Sequence, residues 1–342
     1  MFHFRENPWK VSKAYAYAAA AKAEGVDFFY FTHKNVLVEA ERILGKVYES
    51  GEWVERYFPF PDVIYNASAP PNDEAEEIYD FLYDLIPFTS HSVGNKLRVY
   101  NRIKEGKTFE KYLIPTFEVT DSDLLFDVMR KYGKVLIKPK SGQQGKRVVT
   151  IEKKSIWWYQ LIEAETITAC KKKSLLKWVS DTIQKDDYIA QPFISCRLRS
   201  GHVYDLRLHV QKNGRGEWVI TSIYPRIGPL GSIISNIGSG GYTGYLDDIL
   251  EKEFPDSWRE VQTMVEQFAI DFANHFESLY NDVLFDELGI DVGIDGNAKL
   301  WLFEVNWRPG EPIIFNCELD VARNTILYAK YLAERTTDRK DE

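Results

Sequence analysis

The chain has 342 residues, of which 44% are hydrophobic, so it is long enough to bury a large core and to divide into two or three lobes. Its 43 basic and 51 acidic residues give a formal net charge of −8, which excludes a general electrostatic grip on DNA or RNA. Three cysteines without C-x-x-C spacing, and no run near the ~18–20 apolar residues of a membrane span, predict a soluble cytoplasmic protein without a disulfide framework, a zinc site or a membrane partner.

Residues 1 to about 90 predict a small α/β lobe. An Asn-Pro pair is typical of the start of a first helix. The apolar runs Val26–Thr32 and Asp62–Tyr65 predict buried strands, and a meander of short strands is expected between them. An acidic amphipathic helix over Glu74–Leu85 completes the lobe.

The middle of the chain carries a possible phosphate site. A basic helix is predicted to start at Lys96, and a strand ending at Lys138 leads into the glycine-rich loop Ser141–Gly145. Such a loop can aim backbone N–H groups at an anion, but it fits a plain β-hairpin equally well, and no Walker motif is present. The polar stretch Ser155–Lys185 is predicted to be helical, as a covering element.

The last third of the chain alternates strands with a long helical region. Strands are predicted over Asp205–Val210 and Trp218–Tyr224, joined by a glycine-containing turn. Pro229–Tyr245 is rich in glycine and serine and predicts an ordered functional loop or a mobile lid. Leu246–Leu284 is predicted to be mostly helical, and Asp320–Arg335 is a final amphipathic helix.

The stretch around residues 288–309 is the most informative one. Two apolar runs flank an Asp-Gly-Asn turn signal, which predicts a β-hairpin. If residues 296–299 form the loop, Asp291 lies opposite Glu304, and Asn306 leaves the same face of its strand as Glu304. Two carboxylates and an amide suit a hard divalent cation such as Mg²⁺. The alternative is a surface hairpin that turns its acids toward water.

Seven segments together resemble the ATP-grasp superfamily, with the YheC/YheD-like, endospore coat-associated group as the nearest branch and a kinship to RimK-type ligases. The segments are PFPDVIYN, IPFTSHSVGNKLRVY, VLIKPKSGQQGKRV, IAQPFI, YDLRLHV, SNIGSGG and LGIDVGIDG with LWLFEVNWRPG. The resemblance runs from about Phe58 to Glu334. It implies an α+β chain whose ATP-grasp fold, two α/β lobes gripping ATP, follows a small α/β pre-ATP-grasp lobe. The expected lobes are residues 1–90, 91–190 and 191–342.

The resemblance assigns roles at matching positions and implies ATP and Mg²⁺ as cofactors. The residues expected to bind ATP are the two phosphate lysines, the loop that closes over the phosphates and the hinge beside adenine: Lys96, Lys138, Ser141, Gly142, Gln143, Gln144, Gly145, Gln191, Pro192, Phe193 and Ile194. The expected metal ligands are Asp291, Glu304 and Asn306. The expected catalytic arginines are Arg207 and Arg308. The substrate side is expected to include Arg226, Asn236, Gly240 and Gly241.

Three departures from the family pattern stand out. Arg147 occupies a position where many members have glycine. Gly289 occupies the position at which D-alanine ligase-like members carry a transition-state arginine, so Arg207 would have to supply that charge. No acidic residue follows the hinge at the spacing that many members use for ribose, and Ser195–Ser200 offers only Ser, Cys, Arg and Leu.

By this resemblance, the chain is an ATP- and Mg-dependent ligase that activates a carboxylate as an acyl phosphate and joins it to an amine, such as an amino acid or a peptide-like substrate. Two alternatives stay open: a non-catalytic ATP-binding protein associated with the spore, and a phosphotransferase that stops at the phosphorylated product. The expected partners are small-molecule carboxylates and amines, with an association with the spore coat by family resemblance.

Overall fold

The computed structural model describes residues 1–140, 147–163, 166–233, 235, 237, 240–281, 283–310, 312 and 317–341, and the side chains of residues 318 and 337–341 fall outside that description. Within these ranges the strands form three antiparallel sheets of three, six and five strands. Helices pack on these sheets, which confirms the predicted α+β class. Among the described residues, no helix combines the length and the apolar character needed to cross a bilayer.

The N-terminal lobe is built on the three-stranded sheet and two helices. Its elements are a 3₁₀ turn Pro8–Lys10, α1 Ser12–Ala23, β1 Val36–Leu37, β2 Arg42–Glu49, β3 Glu52–Pro59 and α2 Asp73–Leu85. The prediction of strands over Val26–Thr32 and Asp62–Tyr65 was wrong, because these runs make only isolated bridges at Tyr30, Phe31 and Ile64. All three side chains are buried. The apolar pattern therefore predicted the burial of these residues correctly. They do not form strands, because each pairs with a neighbouring segment through an isolated bridge only.

The middle lobe holds the six-stranded sheet in the order β4-β9-β5-β6-β7-β8. Its elements are α3 Lys96–Glu105, β4 Phe117–Glu118, α4 Ser122–Tyr132, β5 Lys134–Pro139, β6 Val149–Lys153, β7 Trp158–Glu163, β8 Thr166–Lys171, α5 Lys172–Ile183 and β9 Tyr188–Pro192. The predicted helix over Ser155–Lys185 was wrong for its first half, where β7 and β8 form a hairpin. Aromatic and β-branched residues favour strands there, and only α5 keeps the helical spacing, with Leu175 and Val179 buried.

The C-terminal lobe holds the five-stranded sheet in the order β12-β11-β10-β13-β14. Its elements are β10 Tyr204–Lys212, β11 Trp218–Ile227, β12 Tyr242–Thr243, α6 Leu246–Glu253, α7 Trp258–Ser278, β13 Glu287–Ile294, β14 Leu300–Asn306 and α8 Glu318–Asp341. Helix α7 buries an apolar stripe at helical spacing, which includes Val261, Val265, Phe268, Phe272 and Phe276, in the core formed with this sheet.

The side chains of β10 and β13 alternate between that core and the opposite face of the sheet. Leu206, Leu208, Ile290 and Val292 belong to the core with α7. The residues between them, which include Arg207 and Asp291, must therefore point to the other face. The strand pattern thus holds charged side chains over a rigid apolar support.

The lobes share cores across their predicted boundaries. Helices α1 and α8 pack on each other, with Ala14 and Tyr17 contributing to the same cluster as Ala322 and Ile326. Helix α3 packs on the core of the C-terminal lobe through Val99 and neighbouring residues. The three-stranded and five-stranded sheets each fall within one predicted range, whereas β9 of the six-stranded sheet runs two residues past the boundary at residue 190. The division into these three ranges stays a prediction.

Candidate active site

The β13–β14 hairpin places two acidic residues side by side. Asp291 is the register partner of Glu304, as the sequence predicted. The predicted loop 296–299 is one residue too short, because the strands end at Ile294 and resume at Leu300. An irregularity between Asp291 and Val292 compensates for this difference and restores the pairing.

Asp291 lies in a row of charged residues across three neighbouring strands. Arg207 on β10 is its register partner on one side, and Glu304 on β14 is its partner on the other. The Arg207 Nε donates to Asp291 Oδ1 at 2.5 Å, and its Nη2 donates to Oδ2 at 3.3 Å. Its Nη1 donates to the Pro309 carbonyl oxygen at 2.9 Å. The guanidinium is thus fixed at both edges.

A second arginine reaches the same carboxylate from β11. The Arg226 Nη2 lies 3.0 Å from Asp291 Oδ2, while its Nε and Nη2 donate to Asp205 at 2.7 and 2.6 Å. Burial opposes ionisation of Asp291, but Arg207 and Arg226 hold the pKa of its carboxyl below the usual range. The Asp291 side chain is therefore charged at neutral pH.

Asp205 is a site residue that the sequence reasoning missed. It is buried, pairs with Arg226 across β10 and β11, and also accepts a hydrogen bond of 2.7 Å from the Ser235 hydroxyl. Its role is to orient Arg226, since both of its carboxylate oxygens are occupied by that arginine. The signal was present, because Asp205 and Arg207 are two residues apart on one strand and so share a face.

The two predicted phosphate lysines approach the acids from two elements of the middle lobe, α3 and β5. The Lys96 Nζ, at the start of α3, lies 3.2 Å from Glu304 Oε1. Asn95 caps that helix by accepting from the Arg98 N–H at 2.9 Å. Burial lowers the pKa of Lys138 to about 8; Lys96 lowers it as well, while Glu304 and Asp291 oppose the change. Glu304 therefore interacts electrostatically with both lysines.

One cavity of about 730 Å³ collects most of the candidate residues. Every described residue to which the sequence gave a role lines it, except Gly240 and Gly241: Lys96, Lys138, Gln191, Pro192, Phe193, Ile194, Arg207, Arg226, Asp291, Glu304, Asn306 and Arg308. Gly240 and Gly241 directly precede β12 in the chain. Ser141, Gly142, Gln143, Gln144, Gly145 and Asn236 lie outside the described residues.

The hinge segment forms an apolar wall of this cavity. The Gln191 side chain donates to the Thr116 hydroxyl at 2.8 Å, and the Phe193 N–H donates to the Lys134 carbonyl oxygen at 3.0 Å. The Lys134 ammonium lies 4.1 Å from the centre of the Phe193 ring. These contacts fix the wall in place.

Arg308 lies deeper than the sequence suggested, in a network of buried polar groups. Its Nη1 donates to Asp286 Oδ1 at 2.6 Å and lies 3.4 Å from Glu287 Oε1. Its Nε and Nη2 donate to the backbone and side-chain oxygens of Asn66 in the N-terminal lobe, at 2.8 and 3.1 Å. Arg308 thereby ties the N-terminal lobe to the sheet that carries the site.

Glu287 is fully buried at the centre of that network. Burial opposes its ionisation, but Lys13, His209 and Arg308 together hold the pKa of its carboxyl well below the usual range. The Lys13 Nζ lies 3.4 Å from Glu287, and the His209 Nε2 lies 3.3 Å from it. A chain segment near the N-terminus is therefore bound to the C-terminal sheet by charge.

The glycine at position 289 makes room for Arg207. A Cβ at Gly289 would stand 2.3 Å from the Pro309 Cβ, 3.2 Å from the Arg207 Nη1 and 3.3 Å from its Cδ. Arg207 therefore fills the space that a side chain at position 289 would need. This geometry accounts physically for one departure from the family pattern.

The second departure from the family pattern is Arg147, which stands where many members have glycine. It adopts a φ of 59°, the left-handed conformation that glycine reaches at low cost, and its Nη1 lies 2.8 Å from Asp186 Oδ2. A glycine at this position would adopt the same conformation without strain. In this chain, the ion pair with Asp186 holds Arg147 in that conformation.

The oxygen donors of Asp291, Glu304 and Asn306 are of the type that a hard cation binds. The Asn306 Nδ2 lies 3.5 Å from Asp291 Oδ2 and donates to it, so these two side chains adjoin each other. Within the described ranges, no group of three or more His, Cys, Asp and Glu side chains could hold a metal ion. A cation here would therefore need oxygen atoms from a bound ligand to complete its shell, as Mg²⁺ does with phosphates.

A family model and two curated relatives point to the same group of proteins. A family model described as "YheC/D like ATP-grasp" matches residues 85–332. The chain is 26% identical to the endospore coat-associated protein YheD of Bacillus subtilis (strain 168), over 92% of this chain and 72% of YheD. It is 23% identical to YheC of the same organism, over 87% of this chain and 84% of YheC.

Solved structures share the fold. D-cycloserine synthetase DcsG superposes with a TM-score of 0.53 at 15% identity, covering 94% of this chain and 93% of that one. A RiPP-associated ATP-grasp ligase from Chryseobacterium gregarium, in complex with ADP and a leader and core peptide, gives 0.51 at 12% identity, covering 99% and 96%. These similarities confirm the predicted fold.

We predict that Gly289→Ala destabilises the protein. The added methyl group meets Pro309 and Arg207, so the free energy of unfolding should fall by about 1–3 kcal/mol, as for other overpacked sites. Gly296→Ala is the matched control, because its Cβ would meet open space, and it should stay within about 0.5 kcal/mol. Urea unfolding measures both, and equal stability of the two variants would contradict the packing described.

We also predict that Arg308→Met lowers the unfolding free energy by about 3–5 kcal/mol, because Asp286 and Glu287 lose a buried partner. Arg323→Met removes an exposed ion pair with Glu24 and should cost less than about 1 kcal/mol. A stable Arg308→Met protein would show that the arginine does not hold the lobes together.

Proposed function

The chain belongs to the YheC/D-like ATP-grasp family, and from that premise we propose that it is an ATP- and Mg-dependent ligase. It would activate a carboxylate as an acyl phosphate and join it to an amine. The observation that carries the proposal is the single cavity in which two lysines from separate elements meet two acids and an amide. An array with both signs of charge suits a metal–triphosphate complex, since the lysines meet phosphates and the acids meet the metal.

The proposed chemistry begins with a carboxylate, which is a poor electrophile because its leaving group would be oxide. A carboxylate oxygen attacks the γ-phosphorus of ATP, the bond to the β-phosphate oxygen breaks, and ADP leaves. The amine then attacks the acyl carbon, loses a proton, and displaces inorganic phosphate. For phosphoryl transfer, the protein contributes chiefly by positioning the reactants and neutralising their charge.

Each charged side chain has a place in this scheme. Lys96 and Lys138 would hold the phosphates, and Arg207 would stabilise the charge on the transferring phosphoryl group and the acyl phosphate. Arg226, fixed by Asp205, would present its remaining N–H groups to the substrate side. The apolar hinge Gln191–Ile194 would contact the adenine.

The metal would be held by Asp291, Glu304 and Asn306, and when bound it would draw the phosphate oxygens together and offset their charge. Asp291 is paired with Arg207 and Arg226 in the free protein, so a cation would compete with those two arginines for its oxygens. Both arginines line the same cavity as the two lysines.

The setting of the reaction is proposed from the relatives. YheC and YheD carry the name endospore coat-associated, so we propose that this chain acts on material of the developing spore, in the cytoplasm or at the forespore. The solved neighbour in complex with ADP, a leader and a core peptide supports a peptide-like substrate among the candidates. The ligase proposal itself does not depend on this setting.

Incubation with Mg·ATP and a library of amino acids and small carboxylates should release ADP. Glu304→Gln and Asp291→Asn should each lower that rate by about 10²–10³-fold, because each removes one charge from the phosphate site. Glu39→Gln, an exposed carboxylate of the N-terminal lobe, is the matched control and should leave the rate unchanged. Coupled detection of ADP gives all three rates.

The product distinguishes the ligase from its rivals. Hydroxylamine should trap an acyl hydroxamate if an acyl phosphate forms. A phosphorylated product that persists without an amine would favour a phosphotransferase. Tight Mg·ATP binding with no ADP release across the library would favour a non-catalytic spore protein and would sink the ligase proposal.

We predict that ATP affinity falls with rising pH because of Lys138. Its pKa is lowered to about 8 in the free protein, chiefly by burial, and the bound phosphates should raise it, since they favour the charged form. Binding above that pKa therefore requires proton uptake, and log affinity should drop by about one unit per pH unit from about pH 8 upward.

Lys138→Arg tests the cause of this pH dependence. Arginine stays charged over the whole range, so the variant should bind with a flat profile between about pH 7 and pH 9.5. Calorimetric titration at saturating Mg²⁺ measures both proteins. A wild-type profile that is equally flat would show that Lys138 does not contact the phosphates.

A further inference from the structure

We infer that a second, basic cavity beside the reaction cavity binds a carboxylate group of the substrate, so that the substrate class is an acidic amino acid or an acidic peptide. This inference rests on the proposed function, because it names the kind of molecule that the ligase accepts. The cavity lies between the start of the chain and the segment after β14, with a volume of about 260 Å³.

Its lining is unusually rich in basic side chains for a chain whose net charge is −8. The basic residues are His3, Arg5, Lys10, Lys13 and Arg308. No acidic residue lines the cavity in the part of the chain that the structure describes. A concentration of one sign of charge in a concave site attracts ligands of the opposite sign.

The inner and outer cations of the cavity differ in their partners. Lys13 and Arg308 form the inner wall, and their charge is offset from behind by Glu287 and Asp286. Arg5 and Lys10 stand at the exposed rim, where Arg5 Nη1 donates to the Lys10 carbonyl oxygen at 2.9 Å. The uncompensated charge is therefore close to two, which suits one or two carboxylates better than a polyphosphate.

The backbone adds donors to the same cavity. Helix α1 starts beside it, and both Ser12 and Lys13 of its first turn are lining residues. Val11 is the N-cap and has no side chain that could accept from the first turn, which also contains no acidic residue. The positive end of the helix thus lacks its usual internal acceptor and reinforces the side-chain cations.

His3 lines the same cavity and can donate a hydrogen bond as a neutral ring. Its Nδ1 accepts from the Arg5 N–H at 2.9 Å, which leaves the proton of a neutral ring on Nε2. Burial and the nearby Arg5 charge lower the pKa of His3 to about 4. The ring can therefore donate to an anion at neutral pH without adding charge.

The basic cavity adjoins the reaction cavity. Ala67, Arg308 and Gly310 line both. A substrate can therefore place its reacting group near Arg207 and Arg226 while a second, anionic group reaches Lys13 and Lys10. Holding the two ends of one molecule fixes its orientation at the reacting atoms.

The test is a calorimetric titration of the full chain with N-acetylated, C-amidated tri-glutamate, with the equally capped and therefore neutral tri-glutamine as its counterpart. Wild type should bind tri-glutamate and not tri-glutamine. Arg5→Gln combined with Lys10→Gln should weaken tri-glutamate binding by about tenfold or more, because two charge-assisted contacts are lost. Lys22→Gln, exposed in the last turn of the same helix and away from the cavity, is the matched control and should bind like wild type.

Several results would overturn the inference. They are the absence of tri-glutamate binding to wild type, equal binding by the double variant, and binding of orthophosphate but not tri-glutamate at the variant-sensitive site. If the double variant does not fold, Lys10→Gln alone changes only an exposed side chain and should still weaken binding severalfold. A separate Mg·ATP titration of wild type reports on the proposed function, so a failure there is distinguishable from a failure here.

Discussion

The buried carboxylate of Asp291 is the group on which the charged site depends. It lies on the central strand pair of the C-terminal sheet, where burial alone would favour its neutral form. Arg207 and Arg226 keep it ionised, Asp205 fixes Arg226, and the absence of a side chain at Gly289 gives Arg207 its place. The two arginines thus face two acids, Asp291 and Asp205, so their charges are balanced before any ligand binds.

That balance explains how the cavity can accept a highly charged ligand. On the proposed function, a metal–triphosphate complex would bring a cation to Asp291 and Glu304 and anions to Lys96 and Lys138. These new contacts would replace ion pairs that exist in the free protein, such as that of Lys96 with Glu304. Exchange of partners avoids leaving a buried charge unpaired at either stage, which is the costly condition inside a protein.

The sequence predicted those parts of the fold that depend on residues close together in the chain. The hairpin of Asp291 and Glu304 followed from its turn signal. The predicted start of α3 at Lys96 was confirmed, and Asn95 caps the helix there. The pair β7–β8 was predicted as helix because its polar composition resembles that of an exposed helix, although it is rich in aromatic and β-branched residues. Strand signals are weaker than helix signals, since pairing partners decide them.

Long-range contacts were beyond local patterns. Arg308 was expected at the reacting groups, yet its N–H groups are directed to Asp286, Glu287 and Asn66, and the last of these is 242 residues away in the chain. The orienting role of Asp205 depends likewise on the register of β10 with β11. The metal-ligand candidates and Lys138 were predicted from strand and turn patterns, and the other candidate residues through resemblance, whereas the way in which they are held required the structure.

The most direct measurement is electron density for a crystal of the full chain grown with Mg²⁺ and a non-hydrolysable ATP analogue. The account predicts the triphosphate between Lys96 and Lys138, with the metal on Asp291, Glu304 and Asn306 and the adenine against the hinge. Nucleotide bound elsewhere, or a triphosphate that contacts neither lysine, would contradict it.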